Sequence, residues 1–499
     1  MTALAELLRP LAEHRRAVWT LALVLLGTYA YFVPAPAWNQ NSRFALTRAL
    51  VERGSTIIDD DHETTGDKSF KDGHFYCDKA PGASVLAAVP YAIVHGISRV
   101  LGAEPPGVSV IPLDPRDLVA GRAPTPAERL PGDRLHYNRS HRLGLYLAGV
   151  FSVGVLSVLG SLALWLLVRR AGCSVATASA CTLTYALATP ALPYSTALYG
   201  HQLCGALLLI AFVGAAVPAR GRFDRTIAIV VGLAAGLAVA TEYTAVVPAA
   251  LVAGLCVVRH GLRASLPIAL GALPSVVLLA AYHTAAFGHP LATGYDYVWL
   301  PEFAEGMRVR YGIGRPSAQV LLAIGFGSYR GLFYLAPICL LALWGLLREL
   351  WRPTLVGRDA IAIAVACCAW FVLLNAGYYM WDGGAAIGPR HVVPMLGLLA
   401  LGLPVARTIV PGAFAVIAFV SAAQMLLATA AMPEAPQFGD PLWEFALGHV
   451  LGRAAATDAI ASNLGLLLGL PGAWSLLPLL VLWAWALPLA REAHARSDG

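Results

Sequence analysis

Lysine is almost missing from this chain. Three lysines stand in 499 residues, and all three (Lys68, Lys71 and Lys79) fall in one stretch. Charge of either sign is scarce: 13% of residues are charged against 58% apolar, and mean hydropathy is +0.65. That scarcity excludes a soluble globular chain, and it leaves no basic surface for nucleic acid. The net charge of +6 comes mostly from short arginine-bearing loops, which read as signals of membrane orientation. A disulfide framework is absent too. Seven of the eight cysteines fall in or beside apolar runs, where a thiol packs as a small hydrophobe, and only Cys77 lies in a polar loop. No zinc-like ligand spacing and no internal repeat stand out. No clear cleavage site precedes Trp38, so the first apolar run reads as a retained helix with a cytoplasmic N-terminus.

What the chain does have is apolar runs of bilayer length, about 20 residues each. They lie near 17–36, 143–168, 174–194, 201–218, 226–241, 244–258, 265–287, 331–348, 359–378, 391–406, 410–431 and 474–490. With the N-terminus inside, every inner loop is short and basic. These loops carry Arg169-Arg170, Arg220 with Arg222 and Arg225, Arg259 with Arg263, Arg348 with Arg352 and Arg358, Arg407, and Arg491. The pattern predicts an all-α polytopic membrane protein of about 12 transmembrane helices with both ends in the cytoplasm. Its shortest spans meet at Thr241-Glu242-Tyr243.

The outer side carries the unusual polar residues. It holds a long first periplasmic loop (37–142), the Tyr199-Gly200-His201-Gln202 turn, Glu242-Tyr243 and the segment 288–330. Trp381-Asp382-Gly383-Gly384 through Arg390-His391 and the segment 432–473 complete it. Convergence on one face predicts a polar site at the extracytoplasmic membrane boundary. Between Ser42 and Arg53, a stripe of Phe44, Leu46 and Leu50 opposes Arg43, Arg48 and Arg53, which predicts a juxtamembrane helix lying flat on the bilayer. Ser84 to Leu101 reads as a second interfacial stretch, and Gly102 to Asn138 as a soluble elaboration. Residues 1–431 read as a transmembrane module carrying this polar site, and 432–499 as a periplasmic segment plus the last helix.

Arg48 and Gly54, followed by Tyr76-Cys77-Asp78-Lys79-Ala80-Pro81, resemble the first outer loop of GT-C class membrane glycosyltransferases. The closer resemblance is to the branch of protein O-mannosyltransferases and bacterial lipid A aminoarabinose transferases. There a juxtamembrane helix with an arginine and a glycine precedes an aromatic-acid-Lys-Pro motif. The resemblance covers residues 17–100 by motif and the rest by topology and loop character. It implies transfer of one sugar from a polyprenyl-phosphate donor to a lipid, glycan or protein acceptor, at the outer face of the inner membrane. By the same resemblance Asp78 would help hold a divalent metal or the donor, and Lys79 would meet the donor phosphate. Asn39-Gln40 stands where that branch has Asp-Glu. An amide cannot act as general base, so the base is expected at another carboxylate such as Asp59 or Asp67.

Such a transfer needs a carboxylate for the acceptor hydroxyl, cations for the leaving phosphate and a dry groove. Asp59, Asp67 and Asp78 are the candidate catalytic carboxylates. Among the adjacent Asp59, Asp60 and Asp61, mutual repulsion should raise one pKa, and Asp59, after Ile57-Ile58, is the expected buried member. A solvated acidic turn is the plainer reading. Arg390-His391, after Gly388-Pro389, is expected beside Lys79 on the donor phosphate, against a helix-end anchor. Asn39, Arg43, His201, Glu242, Tyr243, Tyr295, Trp381 and Asp382 are expected to bind substrate, and His74 with Asp78 a metal. Tyr194, Tyr199, Tyr378 and Tyr379 suit sugar stacking or an interfacial belt. Two rival functions remain. A twelve-span transporter would put its polar residues at the midplane of matching halves. A catalytically lapsed homologue would act in envelope assembly.

Overall fold

The computed structural model describes residues 3–112, 133–217, 223–431, 439–452 and 462–491. Residues 113–132 of the expected soluble elaboration, and Arg220 and Arg222 of one inner loop, lie outside the described residues.

The chain is a helical polytopic membrane protein, with three small two-stranded pairings among the described residues. Among the described residues, eight helices are long and apolar enough to cross a membrane. Seven fall on expected spans: Arg139–Arg170, Tyr243–His260, Leu262–Phe287, Arg358–Gly377, Arg390–Ile409, Pro411–Ala431 and Gly472–Leu489. The other five expected spans are shorter helices. They are Arg15–Tyr31, Val175–Leu187, Gly200–Ala216, Arg225–Thr241 and Ile338–Trp351, of 17, 13, 17, 17 and 14 residues. Prolines account for two of the truncations, because Pro190 follows one helix and Pro337 opens the other. The eighth long helix, Gly82–Val100, falls within residues 37–142, the expected first outer loop. It packs beside the Trp38–Arg48 helix, with the Thr47 hydroxyl donating to the Ser84 carbonyl.

Small residues bring the helices close. A Cβ on Gly232 would lie 2.0 Å from the Ile268 carbonyl oxygen, and one on Gly271 2.0 Å from that of Ile229. Two backbones therefore touch with no side chain between them, as in small-residue packing within membranes. Gly402 does the same against Ala342.

Trp38–Arg48 does not lie on the surface as its stripe suggests. Residues 39–48 are all buried, and the chain continues through a π turn at Ala49–Arg53 to Gly54, whose φ is 62°. Its arginines turn inward because carboxylates meet them: Glu242 for Arg43, and Glu52 and Asp61 for Arg48. Buried ion pairs override the expected flat orientation.

Beyond Gly54 the chain forms an antiparallel hairpin, Lys68–Lys71 with His74–Cys77, closed by Asp72-Gly73 at φ 52° and 87°. Two consecutive left-handed residues suit a tight hairpin turn. The register pairs Lys68 with Cys77, so Asp67 and Asp78 both emerge at the open end of the hairpin. Segment 288–316 lies against it, with the Ser69 hydroxyl donating to the Gly294 carbonyl and the Trp299 amide to that of Lys68. A small core of Leu46, Ile58, Tyr76, Cys77, Tyr282 and Phe287 joins the hairpin to the juxtamembrane helix and to the end of the Ser265–Phe287 helix.

Candidate functional site

A cavity of about 380 Å³ lies where the hairpin mouth, the juxtamembrane helix and several helix ends meet. One wall is polar, from Asn39, Arg43, Asp67, Asp78, Lys79, His201, Glu242, Arg390 and His391. The rest of the lining is aromatic and apolar, including Tyr243, Tyr295, Phe303, Met307, Tyr311, Trp370, Tyr378 and Tyr379. Val246 and Ile313, which also line it, are exposed on the protein surface.

Lys79 is the centre of the polar wall. Its Nζ lies 2.9 Å from Asp78 Oδ2 and 3.2 Å from Asp67 Oδ2. Burial alone would lower the lysine pKa, but the two carboxylates outweigh it and hold the ammonium above the ordinary lysine range. Two acids share one base here. Burial, aided by Asp67 and opposed by Lys79, pushes Asp78 above the usual carboxylate range. Asp78 Oδ1 is sealed in the protein without a hydrogen-bond partner among the described residues.

Arg43 organises the second polar cluster. Its Nε donates to Asn39 Oδ1 at 3.2 Å, Nη1 to the Ala80 carbonyl at 3.3 Å and Nη2 to Glu242 Oε1 at 2.9 Å. Glu242 is extended (φ −144°, ψ 113°) between the Arg225–Thr241 helix and the Tyr243–Ala245 turn, which is why its side chain escapes the apolar spans. His201 Nδ1 lies 3.4 Å from the same Oε1. Tyr243 is fixed by His283: the His283 Nδ1–H donates to the Pro290 carbonyl, so Nε2 accepts from the Tyr243 hydroxyl at 2.8 Å.

Arg390 and His391 open a helix after the glycine-rich run Gly383-Gly384 to Gly388, and all three glycines have positive φ. Gly383 packs on the Arg390 side chain, where a Cβ would lie 2.9 Å from Nε. Among the described residues, Arg390 Nε and His391 Nε2 are buried without a hydrogen-bond partner. Arg330, fully buried, braces this run by donating to the carbonyls of Asp382 and Gly384 at 2.9 and 2.6 Å.

Four expected residues stand outside the cavity. Asp59 is 38% exposed, accepts from the Phe75 amide at 2.7 Å and pairs with His74 Nδ1 at 2.7 Å. The Ile58 amide donates to the Phe75 carbonyl, which aims Asp59 along the outer strand instead of inward. The buried member of the acidic triplet is Asp61, whose pKa is raised by burial against the pull of Arg48. His74, engaged by Asp59, does not join Asp78. Trp381 packs against the main core, and Asp382 accepts from the Tyr329 hydroxyl at 3.1 Å. Asn39, Arg43, Asp67, Asp78, Lys79, His201, Glu242, Tyr243, Tyr295, Arg390 and His391 are brought together. Sequence reasoning missed Trp370, Phe303 and Tyr311. An aromatic inside an apolar span or an irregular segment carries no positional signal in a single sequence.

Among the described residues, no group of three or more His, Cys, Asp or Glu side chains is arranged to hold a metal ion. Asp67 and Asp78 are the two carboxylates that a divalent cation could bridge, and the Lys79 ammonium stands between them.

No protein-family model matches the chain, and no curated protein sequence matches it significantly. Among solved structures it is similar to ArnT from Cupriavidus metallidurans bound to undecaprenyl phosphate, with 13% identity and a TM-score of 0.49. The apo form of that protein gives 15% identity and a TM-score of 0.48. In both cases the match covers 96% of this chain and 76% of the other.

Proposed function

We propose that the chain is a membrane glycosyltransferase, moving a sugar from a polyprenyl-phosphate carrier to a hydroxyl-bearing lipid, glycan or protein acceptor. Its cavity faces the extracytoplasmic side of the bacterial inner membrane. One observation carries this reading. Cations from the first loop (Lys79) and a late helix start (Arg390) share a cavity with paired carboxylates and an aromatic wall that reaches surface-exposed apolar residues. A lipid-linked sugar phosphate needs those three surfaces together: cations for phosphate, aromatic faces for the sugar, and an apolar exit for the chain.

In this reaction the acceptor oxygen attacks the anomeric carbon while the carbon–oxygen bond to phosphate breaks. The electron pair leaves with the phosphate, held by Lys79 and Arg390, with His391 beside them. Asp67 and Asp78 keep Lys79 in place and oppose the positive charge that develops on the sugar. Tyr243, Tyr295, Tyr378 and Tyr379 offer the faces on which it stacks. Lys79 supplies the charge that a divalent ion would otherwise bring, so chelation with EDTA should leave the rate unchanged.

Membranes containing the protein, supplied with radiolabelled polyprenyl-phosphate sugars, test the reading. Wild type should transfer label. Lys79→Met and Arg390→Ala should each lose about 10²–10³ in rate, the scale of removing a charge-stabilising donor. Asp59→Asn, outside the cavity, should match wild type. Absence of transfer by wild type, or full activity in Lys79→Met, would refute the assignment.

A further inference from the structure

We propose that Glu242 is the general base of the transfer, with Arg43 and His201 as its positioning residues. The proposal rests on the transferase reading and assigns the one role left open there, acceptance of the acceptor's proton. Three carboxylates line the cavity, and the structure separates them. Asp78 presents Oδ2 to Lys79 and has Oδ1 sealed in protein, so neither oxygen can meet an acceptor. Asp67 lies 3.2 Å from Lys79, the cation assigned to the leaving phosphate, which places it on the leaving-group side. A base for an incoming hydroxyl belongs on the other side of the sugar when displacement is in line.

Glu242 takes its ion pair from Arg43, a cation not assigned to the phosphate. Only Oε1 is engaged, by Arg43 Nη2 at 2.9 Å, with His201 Nδ1 at 3.4 Å. Oε2 accepts no hydrogen bond among the described residues and is not sealed from the cavity. Burial pushes the Glu242 carboxyl above the usual carboxylate range, in the direction that strengthens a base, and the Arg43 guanidinium opposes that rise. The carboxylate also lies over the first residue of the Gly200–Ala216 helix, where backbone amides favour an anion. Gly200 permits that approach, since a Cβ there would lie 2.1 Å from Oε1. Arg43 ties the carboxylate to Asn39, an amide that cannot take the proton itself.

The step balances simply. The acceptor O–H proton passes to Glu242 Oε2, the oxygen bonds to the anomeric carbon, and the phosphate departs with the electron pair. The glutamic acid then returns its proton to water or to the released phosphate.

The test uses the same membrane assay with saturating donor. Glu242→Gln, which keeps an acceptor for Arg43, should lose about 10²–10⁴ in rate, the usual worth of a general base, with donor KM within about threefold. Added formate should partly restore Glu242→Ala and leave Asp67→Ala unrestored, and that recovery also shows that the variant folds. His201→Gln should shift the acid side of the pH–rate profile while donor KM stays unchanged. Glu242→Gln within about threefold of wild type, a defect confined to donor KM, or formate rescue of Asp67→Ala instead would overturn the assignment while the transferase reading stands. A wild type without transfer would overturn both.

Discussion

At the scale of single residues, the site depends on how charge is shared. Lys79 faces two carboxylates, and its raised pKa has a direct consequence for donor binding. A lysine raised above its ordinary value keeps its proton to higher pH than a free one. Binding of polyprenyl phosphate should therefore stay constant from about pH 7 to about pH 10, where an ordinary lysine would be losing charge. Titration of binding by wild type against Lys79→Met checks this, and a loss near pH 8 that is absent in the variant would contradict it. Gly200 gives a second residue-scale prediction. A methyl group there collides with Glu242 Oε1 and with Arg43 Nη2 at 2.8 Å, so Gly200→Ala must push the ion pair apart. Overpacking of this kind costs about 1–3 kcal/mol, and transfer should fall at least as far as in Glu242→Gln. An active Gly200→Ala enzyme would show that the pair need not be closed.

At the scale of elements, the juxtamembrane helix shows both what a single sequence reveals and where it stops. The helix itself is legible from apolar Phe44, Leu46 and Leu50 interleaved with Arg43 and Arg48. Their inward orientation is not, because Glu242 is 199 residues from Arg43 and nothing local announces the pairing. Asp67 and Asp78 are an intermediate case. Asp72-Gly73 is a strong hairpin signal, and counting outward from it pairs Lys68 with Cys77. That count brings Asp67 and Asp78 together from sequence alone. Asp59 went the other way: apolar neighbours suggested burial, yet strand geometry turned it toward His74. The same helix yields a stability prediction. Arg48 is buried between Glu52 and Asp61, with a further hydrogen bond to the Pro106 carbonyl at 3.2 Å. Arg48→Ala strands Asp61 in the interior. Removing one partner of a buried pair costs about 3–5 kcal/mol, which should appear as a clear drop in the unfolding temperature in detergent. The double variant Arg48→Met with Asp61→Leu should recover much of that loss, since no unpaired buried charge remains at that contact. Equal stability of wild type and Arg48→Ala would show the network to be solvated.

At the scale of the whole molecule, hydropathy found the helices more reliably than their lengths. Every expected apolar run coincides with a helix, but several of these helices are shorter than a bilayer is thick, two of them bounded by proline, so the number of crossings does not follow from the number of runs. Orientation rests on the arginines, and it decides which compartment the cavity faces. Native cysteines offer little interference, because Cys173 alone among them is not fully buried. Asp60, with a side chain 68% exposed beside the cavity loop, and Arg352, exposed after the Ile338–Trp351 helix, suit a labelling test. Asp60→Cys should react with a membrane-impermeant maleimide in spheroplasts, whereas Arg352→Cys should react only after the membrane is permeabilised. The reverse pattern would place the cavity in the cytoplasm and remove the basis for an extracytoplasmic transfer. Labelling of both in spheroplasts would mean that the two loops share a side, which the arginine distribution forbids. Because each cysteine reports independently of activity, the orientation stands or falls on physical access to two side chains, whatever sugar or acceptor the cavity takes.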